Sequence, residues 1–349
     1  MGISSKRSGR LLGGKEIIIY TLENEKGLKV EISSLGAAIL ALYVPDSSGI
    51  CQDVALGFEQ LESYYENKPF LGAVIGRHAN RIGDAGFELN GIQYQLAKND
   101  GSNHLHGGIK GFHKMVWEGQ IVSGDQEYLI LRYLSKAGEE NYPGNLAVEV
   151  TYSLTPDNGL RIDYSALSDE DTVINLTNHC YFNLSGHGSG DILQHEFLIL
   201  ADYFTPIDNN CLPIGEIAPV ADTPLDFRRS KTIAVGLKSK EDQIIKGQGY
   251  DHNFVLNSKG DLQQKAAEVF DPVSGRKMEV YTTKPGMQFY SGNHLAGADT
   301  GKNGAVYSKW SGFCLETQYF PNAMKHKNFP SPILRKGQEY KHTTIYKFV

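Results

Sequence analysis

The chain has only four cysteines in 349 residues, at 51, 180, 211 and 314, and no C-x-x-C pair. That spacing argues against a cysteine zinc cage or a disulfide framework and fits a reducing compartment. Basic charge is also in deficit, with 34 Lys and Arg against 40 Asp and Glu and a net charge of -6. Without a basic excess there is no electrostatic footprint for nucleic acid or an anionic membrane surface. No apolar run approaches the roughly 18 residues of a membrane span. A glycine-rich phosphate loop and a dinucleotide fingerprint are missing too. "GHGSGD" (186–191) opens onto an apolar strand-like run, not a helix, so its glycines read as a turn. Helical periodicity is confined to short stretches, 58–66 and part of 228–245.

What is abundant is glycine, 38 residues, and alternation with period two. "LAVEVTYSL" (146–154) puts Leu146, Val148, Val150, Tyr152 and Leu154 on one face. "LRIDYSAL" (160–167) does the same with Leu160, Ile162, Tyr164 and Ala166, and the turn sequence "TPDNG" joins the two into a hairpin. Further strand-like runs, "EIIIYTL", "EFLILAD", "KMEVYTT", "MQFYSG" and "GFCLETQ" among them, follow one another without long helices between. That order predicts an all-β fold, a large single-domain antiparallel β-sandwich with few short helices. The start, "MGISSKRSGRLLGGKE", is basic and lacks the apolar core of a secretory signal. It reads as a flexible N-terminal tail over 1–14, before one domain over 15–349. The expected location is cytoplasmic, with a trimmed export signal as the alternative.

The residues capable of chemistry gather in a few stretches. "NLTNHCYFNLSG" (175–186) sets His179 beside Asn178 and Tyr181. One histidine can serve acid–base chemistry near neutral pH, or sit in a core bonded to an amide. "GRHANRIG" (76–83) offers Asn80 and Arg81, "NDGSNHLHGG" (99–108) offers His104 and His106, and "GYDHNFVL" (249–256) offers Asp251. "GMQFYSGN" (286–293) offers Gln288 and "FCLETQYFPNA" (313–323) offers Glu316. Glu316 is hard to read as surface, because it interrupts an apolar strand and a glutamate is rarely buried without a partner. On a strand, Cys314, Glu316 and Gln318 share a face. A carboxylate, an amide and imidazoles around one cavity suit hydrogen bonding to a neutral polyol. His104 and His106 form an H-x-H that on a strand would aim both rings one way, a weak metal motif. Cys180 follows His179 and should point to the opposite face, and all four cysteines read as buried small hydrophobes.

Seven stretches in order, "GRHANRI", "NHLHGG", "LTNHCYFNL", "TPLDFR", "GYDHNFVL", "FYSGN" and "LETQYFPNA", resemble the aldose 1-epimerases, or galactose mutarotases. The resemblance runs from about residue 17 to the C-terminus. It implies a mutarotase-like supersandwich with a sugar site on its concave face, interconverting the anomers of free hexoses. It also implies His179 as general acid, Glu316 as general base and His106 as a supporting and binding residue. Asn80, Arg81, Tyr181, Asp251 and Gln288 stand at further sugar-binding positions. His78 and Asn322 stand where the family varies, away from the proton-transfer pair. Ring opening and closure needs one base and one acid, so no cofactor and no metal is expected. A carboxylate near His179 should raise its pKa and favour the acid form. The expected partner is a small-molecule aldohexose, with no nucleic acid or membrane, and the expected assembly is a monomer or homodimer. The competing readings are a non-catalytic sugar-binding protein, a hexose-phosphate epimerase and a glycosidase with Asp251 and Glu316 as its carboxylates.

Overall fold

The computed structural model describes residues 2–124, 126–297 and 301–349. Every strand ladder in it is antiparallel. The expected hairpin forms, with Leu146–Leu154 paired to Gly159–Ser168 and Leu154 opposite Leu160. It lies within a nine-stranded sheet that also contains the C-terminal strand Glu339–Phe348, flanked by Gly159–Ser168 and Lys277–Thr282.

A five-stranded sheet places Asp251–Val255, Gly286–Tyr290 and Cys314–Gln318 side by side. Its alternation separates two surfaces. Phe254, Met287, Phe289 and Leu315 point into the core shared with the nine-stranded sheet. There the Phe197 and Phe289 rings lie 4.7 Å apart, and the Tyr346 hydroxyl donates to the Leu315 carbonyl. Burying each such side chain stabilises by roughly 1.5–3 kcal/mol. The other surface carries Asp251, Gln288, Tyr290, Cys314 and Glu316. The apolar face therefore anchors the sheet, and the polar face is left for chemistry.

A second five-stranded sheet at the N-terminus corrects one expectation. Gly2–Leu12 is not a loose tail; it is a strand paired with Lys15–Glu23. Gly13 and Gly14, at φ +58° and +78°, make the two-residue turn between them, a Gly-Gly hairpin connection that only glycine adopts without strain. Met1 lies outside the described residues. The helical expectations hold as short pieces: a 3₁₀ turn over Leu61–Tyr65 and α-helices over Ala234–Leu237 and Asp242–Lys246. No helix among the described residues is long and apolar enough to cross a membrane.

The cysteines are not all buried. Cys180 and Cys314 are, but Cys211 is half-buried and Cys51 is exposed. Cys51 opens Cys51–Asp53, a short strand at the sheet edge, where one side has no neighbouring strand among the described residues.

Candidate active site

A cavity of about 540 Å³ opens over the polar face, lined by Asn80, Arg81, His106, His179, Tyr181, Asp251 and Glu316. Seven of the eight residues expected from the sequence thus converge from five separate segments. Gln288 is the exception. It is buried behind the wall, where its Nε2 donates 2.7 Å to Asp251 Oδ1.

Glu316 and Asp251 reach the cavity through strand alternation, on Cys314–Gln318 and Asp251–Val255. His179 directly follows the two-residue strand Thr177–Asn178, which pairs with Val74–Ile75. Its Nε2 stands 3.7 Å from Glu316 Oε1, and its Nδ1 lies 3.5 Å from Cys314 Sγ. Glu316 is 2% exposed, and its Oε2 has no hydrogen-bond partner among the described residues. As expected, Cys180 takes no part: it is buried, with its Sγ against the Tyr181 carbonyl.

His106 sits at φ +51° and leaves the strand His104–Leu105. The H-x-H expectation of two rings aimed together therefore fails. His104 turns away, its Nδ1 2.9 Å from the Ala97 carbonyl and its Nε2 2.8 Å from the Tyr142 hydroxyl. His106 Nδ1 instead accepts the Asn80 backbone N–H at 3.2 Å. A neutral His106 must then carry its proton on Nε2, the nitrogen free to donate to a ligand.

Ligand atoms of His106, His179 and Glu316 lie within 4.8 Å of one another, a spacing that could hold a metal ion. The hydrogen bonding does not suit one. A metal-bound imidazole normally donates from its second nitrogen, whereas the second nitrogen of His106 accepts.

Arg81 is held on two sides. Its Nε donates 2.7 Å to Asp100 Oδ2, and its Nη1 lies 3.6 Å from Asp251 Oδ2. Burial opposes the charge, but Asp251 and Asp100 outweigh it and raise the guanidinium pKa. For His179 the balance goes the other way. Burial pushes it down to about 4, and the upward pulls of a backbone hydrogen bond and Asp251 do not compensate. The expectation of a raised histidine pKa is corrected accordingly: desolvation exceeds the attraction of nearby carboxylates. Burial also lowers His106, and it raises Glu316 well above the ordinary carboxyl range, with Asp251 adding to the rise. In this environment the pair favours its uncharged form, with the carboxyl holding the shared proton.

Several lining residues had not been singled out from the sequence: Lys68, Phe70, Asp100, Tyr290 and His294. The Phe70 ring packs 4.7 Å from His106, 4.7 Å from His113 and 5.8 Å from His179, centre to centre. Tyr290 had a usable signal, since it alternates with Gln288 on one strand. His78 and Asn322 do not line the cavity, although Asn322 receives the Gly83 N–H on its side chain and donates its own N–H to the Arg81 carbonyl.

The antiparallel sandwich thus carries a buried imidazole–carboxyl pair facing a cavity that Asn80, Arg81 and Asp251 also line. The family model for aldose 1-epimerase matches residues 19–347. Galactose mutarotase from Sus scrofa is 48% identical over 94% of this chain and 93% of its own. Aldose 1-epimerase from Escherichia coli is 39% identical over 96% of both chains. The solved structure of galactose 1-epimerase from Lactobacillus acidophilus superposes with a TM-score of 0.88 at 29% identity, covering 100% of this chain and 98% of its own. The chain belongs to the aldose 1-epimerase family, and it is an isomerase.

Proposed function

We propose that the chain interconverts the α and β anomers of free aldohexoses, galactose and glucose among them, with His179 as general acid and Glu316 as general base. The observation that carries this reading is the 3.7 Å approach of His179 Nε2 to Glu316 Oε1 inside a cavity of sugar-binding chemistry. Glu316 takes the proton of the C1 hydroxyl while His179 delivers one to the ring oxygen. The C1–O5 bond breaks, leaving an open-chain aldehyde. Rotation about C1–C2 presents the other carbonyl face, and closure returns both protons. The pair ends as it began, so no redox partner or cofactor is called for.

The roles require His179, and not Glu316, to hold the shared proton when ring opening starts. Hydrogen bonds from sugar hydroxyls favour the charged carboxylate, and Arg81 already pulls the Glu316 pKa down. The Nε2–H of His106 is free to donate to the sugar beside the ring oxygen. Asn80, Arg81, Tyr181 and Asp251 take the remaining hydroxyls, and Gln288 acts through Asp251. The Sus scrofa relative's name makes galactose the first sugar to test. A phosphosugar is disfavoured because Arg81 is already matched by two carboxylates, which leaves Lys68 as the one further Lys or Arg on the cavity wall among the described residues.

Polarimetry of freshly dissolved α-D-galactose with the purified chain tests the reading. The expected result is faster decay to the same final rotation. Unchanged decay with folded protein, or colour release from a nitrophenyl glycoside, overturns it.

A further inference from the structure

Asn175 is fully buried and uses every polar group it has. Its Nδ2 donates to the carbonyls of Ala79 at 3.3 Å and Tyr319 at 3.4 Å. Its Oδ1 accepts the Tyr319 N–H at 2.9 Å and Lys284 Nζ at 3.4 Å. Its backbone N–H donates to Arg77 and its carbonyl accepts from Ala79. These partners sit at informative places. Ala79 directly precedes Asn80 and Arg81, Tyr319 directly follows the strand that carries Glu316, and Asn175 itself lies four residues before His179. One amide therefore ties together the three segments that bear the proposed acid, base and sugar-binding groups.

Lys284 is fully buried as well, with its Nζ 4.5 Å from the Tyr319 ring centre, 4.7 Å from that of Tyr340, and bonded to the Tyr340 hydroxyl. That hydroxyl in turn accepts the N–H of Leu176, the residue after Asn175. Burying an amine costs stability that an apolar side chain would not lose. What the amine adds here is a second donor to Oδ1 beside the Tyr319 N–H, and the two together hold the amide with Nδ2 towards Ala79.

We infer that the Lys284–Asn175 pair is a positioning device that fixes the separation of His179 and Glu316 by locking the segments on which they are carried. The inference rests on the proton-transfer reading given above. Misplacement of about 1 Å at a reacting pair costs on the order of 10²-fold in rate, so a clamp outside the cavity can act on kcat without touching sugar.

The test uses Lys284→Met and Asn175→Asp in the full chain, with the anomerisation rate of α-D-galactose followed by polarimetry across pH. Asn175→Asp keeps the acceptor and loses both donations. Lys284→Met is expected to lower kcat about tenfold to a hundredfold with KM within about threefold of the parent. The limbs of the kcat–pH profile should move, because coupling within the pair depends on its separation. Asn175→Asp should shift kcat and the profile in the same way. Folding is checked by near-UV circular dichroism, and if one variant does not fold the other decides. Folded variants with the parent's kcat and pH profile overturn the clamp, as does activity lost only in proportion to folded protein. A parent chain without mutarotase activity would instead overturn the functional reading, so the two failures are distinguishable.

Discussion

Asp100 accepts a 2.7 Å hydrogen bond from Arg81 Nε, and this bond sets the plane in which the guanidinium faces the cavity. Asp100 arrives on the "NDGSN" turn, where an aspartate ordinarily satisfies local backbone. Here its carboxylate serves a partner 19 residues away. Asp251 alone, at 3.6 Å, restrains only the far end of the same group.

Replacing Asp100 by Ala should therefore loosen sugar binding more than chemistry. The expected change is a rise in KM of about three- to tenfold with kcat close to the parent value, on the scale of one partly exposed charge-assisted hydrogen bond. Steady-state polarimetry with galactose checks it. A fall in kcat at unchanged KM would show that Arg81 acts on the reacting atoms and not on binding.

Glu316→Gln and His179→Asn remove a proton carrier while keeping shape and polarity. Each should lower kcat by about 10²–10⁴-fold, the usual worth of one positioned proton transfer. The double variant should be little worse than either single one, since the two residues act as a unit. Parent-like turnover in Glu316→Gln would remove the base from the mechanism even with the family assignment intact.

Much of this was legible in the sequence, for a physical reason. Strand alternation is local, so the 146–168 hairpin and the shared face of Cys314, Glu316 and Gln318 follow from spacing, whereas the meeting of Asp251 with Glu316 depends on the order of strands in the sheet. Residues that reach the cavity from irregular backbone were harder to see. Phe70 adopts φ +62° in a loop, and only tertiary contacts bring its ring between three imidazoles. Gln288, expected among the sugar-binding residues, donates to Asp251 instead of lining the cavity, a placement that side-chain packing decides. His179 shifts down where its carboxylate neighbours would raise it; a sequence displays neighbouring charges and hides desolvation. The N-terminal strand, expected as a tail, left one signal in "LLGGKE", where two glycines separate the paired strands.

Buried histidines make the fold acid-sensitive. Burial holds His78 and His113 at about 3, far below the 6.5 of an unfolded histidine. Below pH 6.5 the unfolded chain binds protons at these two positions that the folded chain refuses, so their contribution to stability falls as pH drops from about 6.5 towards 3 and is flat above. Each residue contributes up to about 1.4 kcal/mol per pH unit in the steep part of that window. Urea midpoints should fall between pH 7 and pH 5, and His78→Met should flatten the dependence. Identical midpoints at the two pH values would contradict the assignment.

The cysteines offer a check that does not depend on function. Cys51 is exposed at a sheet edge, Cys211 is half-buried, and Cys180 and Cys314 are enclosed, the last beside His179. A thiol reagent added to native protein should modify Cys51 first and Cys211 more slowly, with Cys180 and Cys314 reacting only when the fold opens. Neither accessible thiol lines the cavity, so labelling Cys51 alone should leave anomerisation unchanged. Cys314 should behave differently. Any reagent that reaches it must displace a side chain packed against His179, so its modification and loss of activity should proceed at one rate. Fast labelling of Cys314 in fully active protein would mean that the wall behind His179 is open, and the burial invoked for its lowered pKa would not hold.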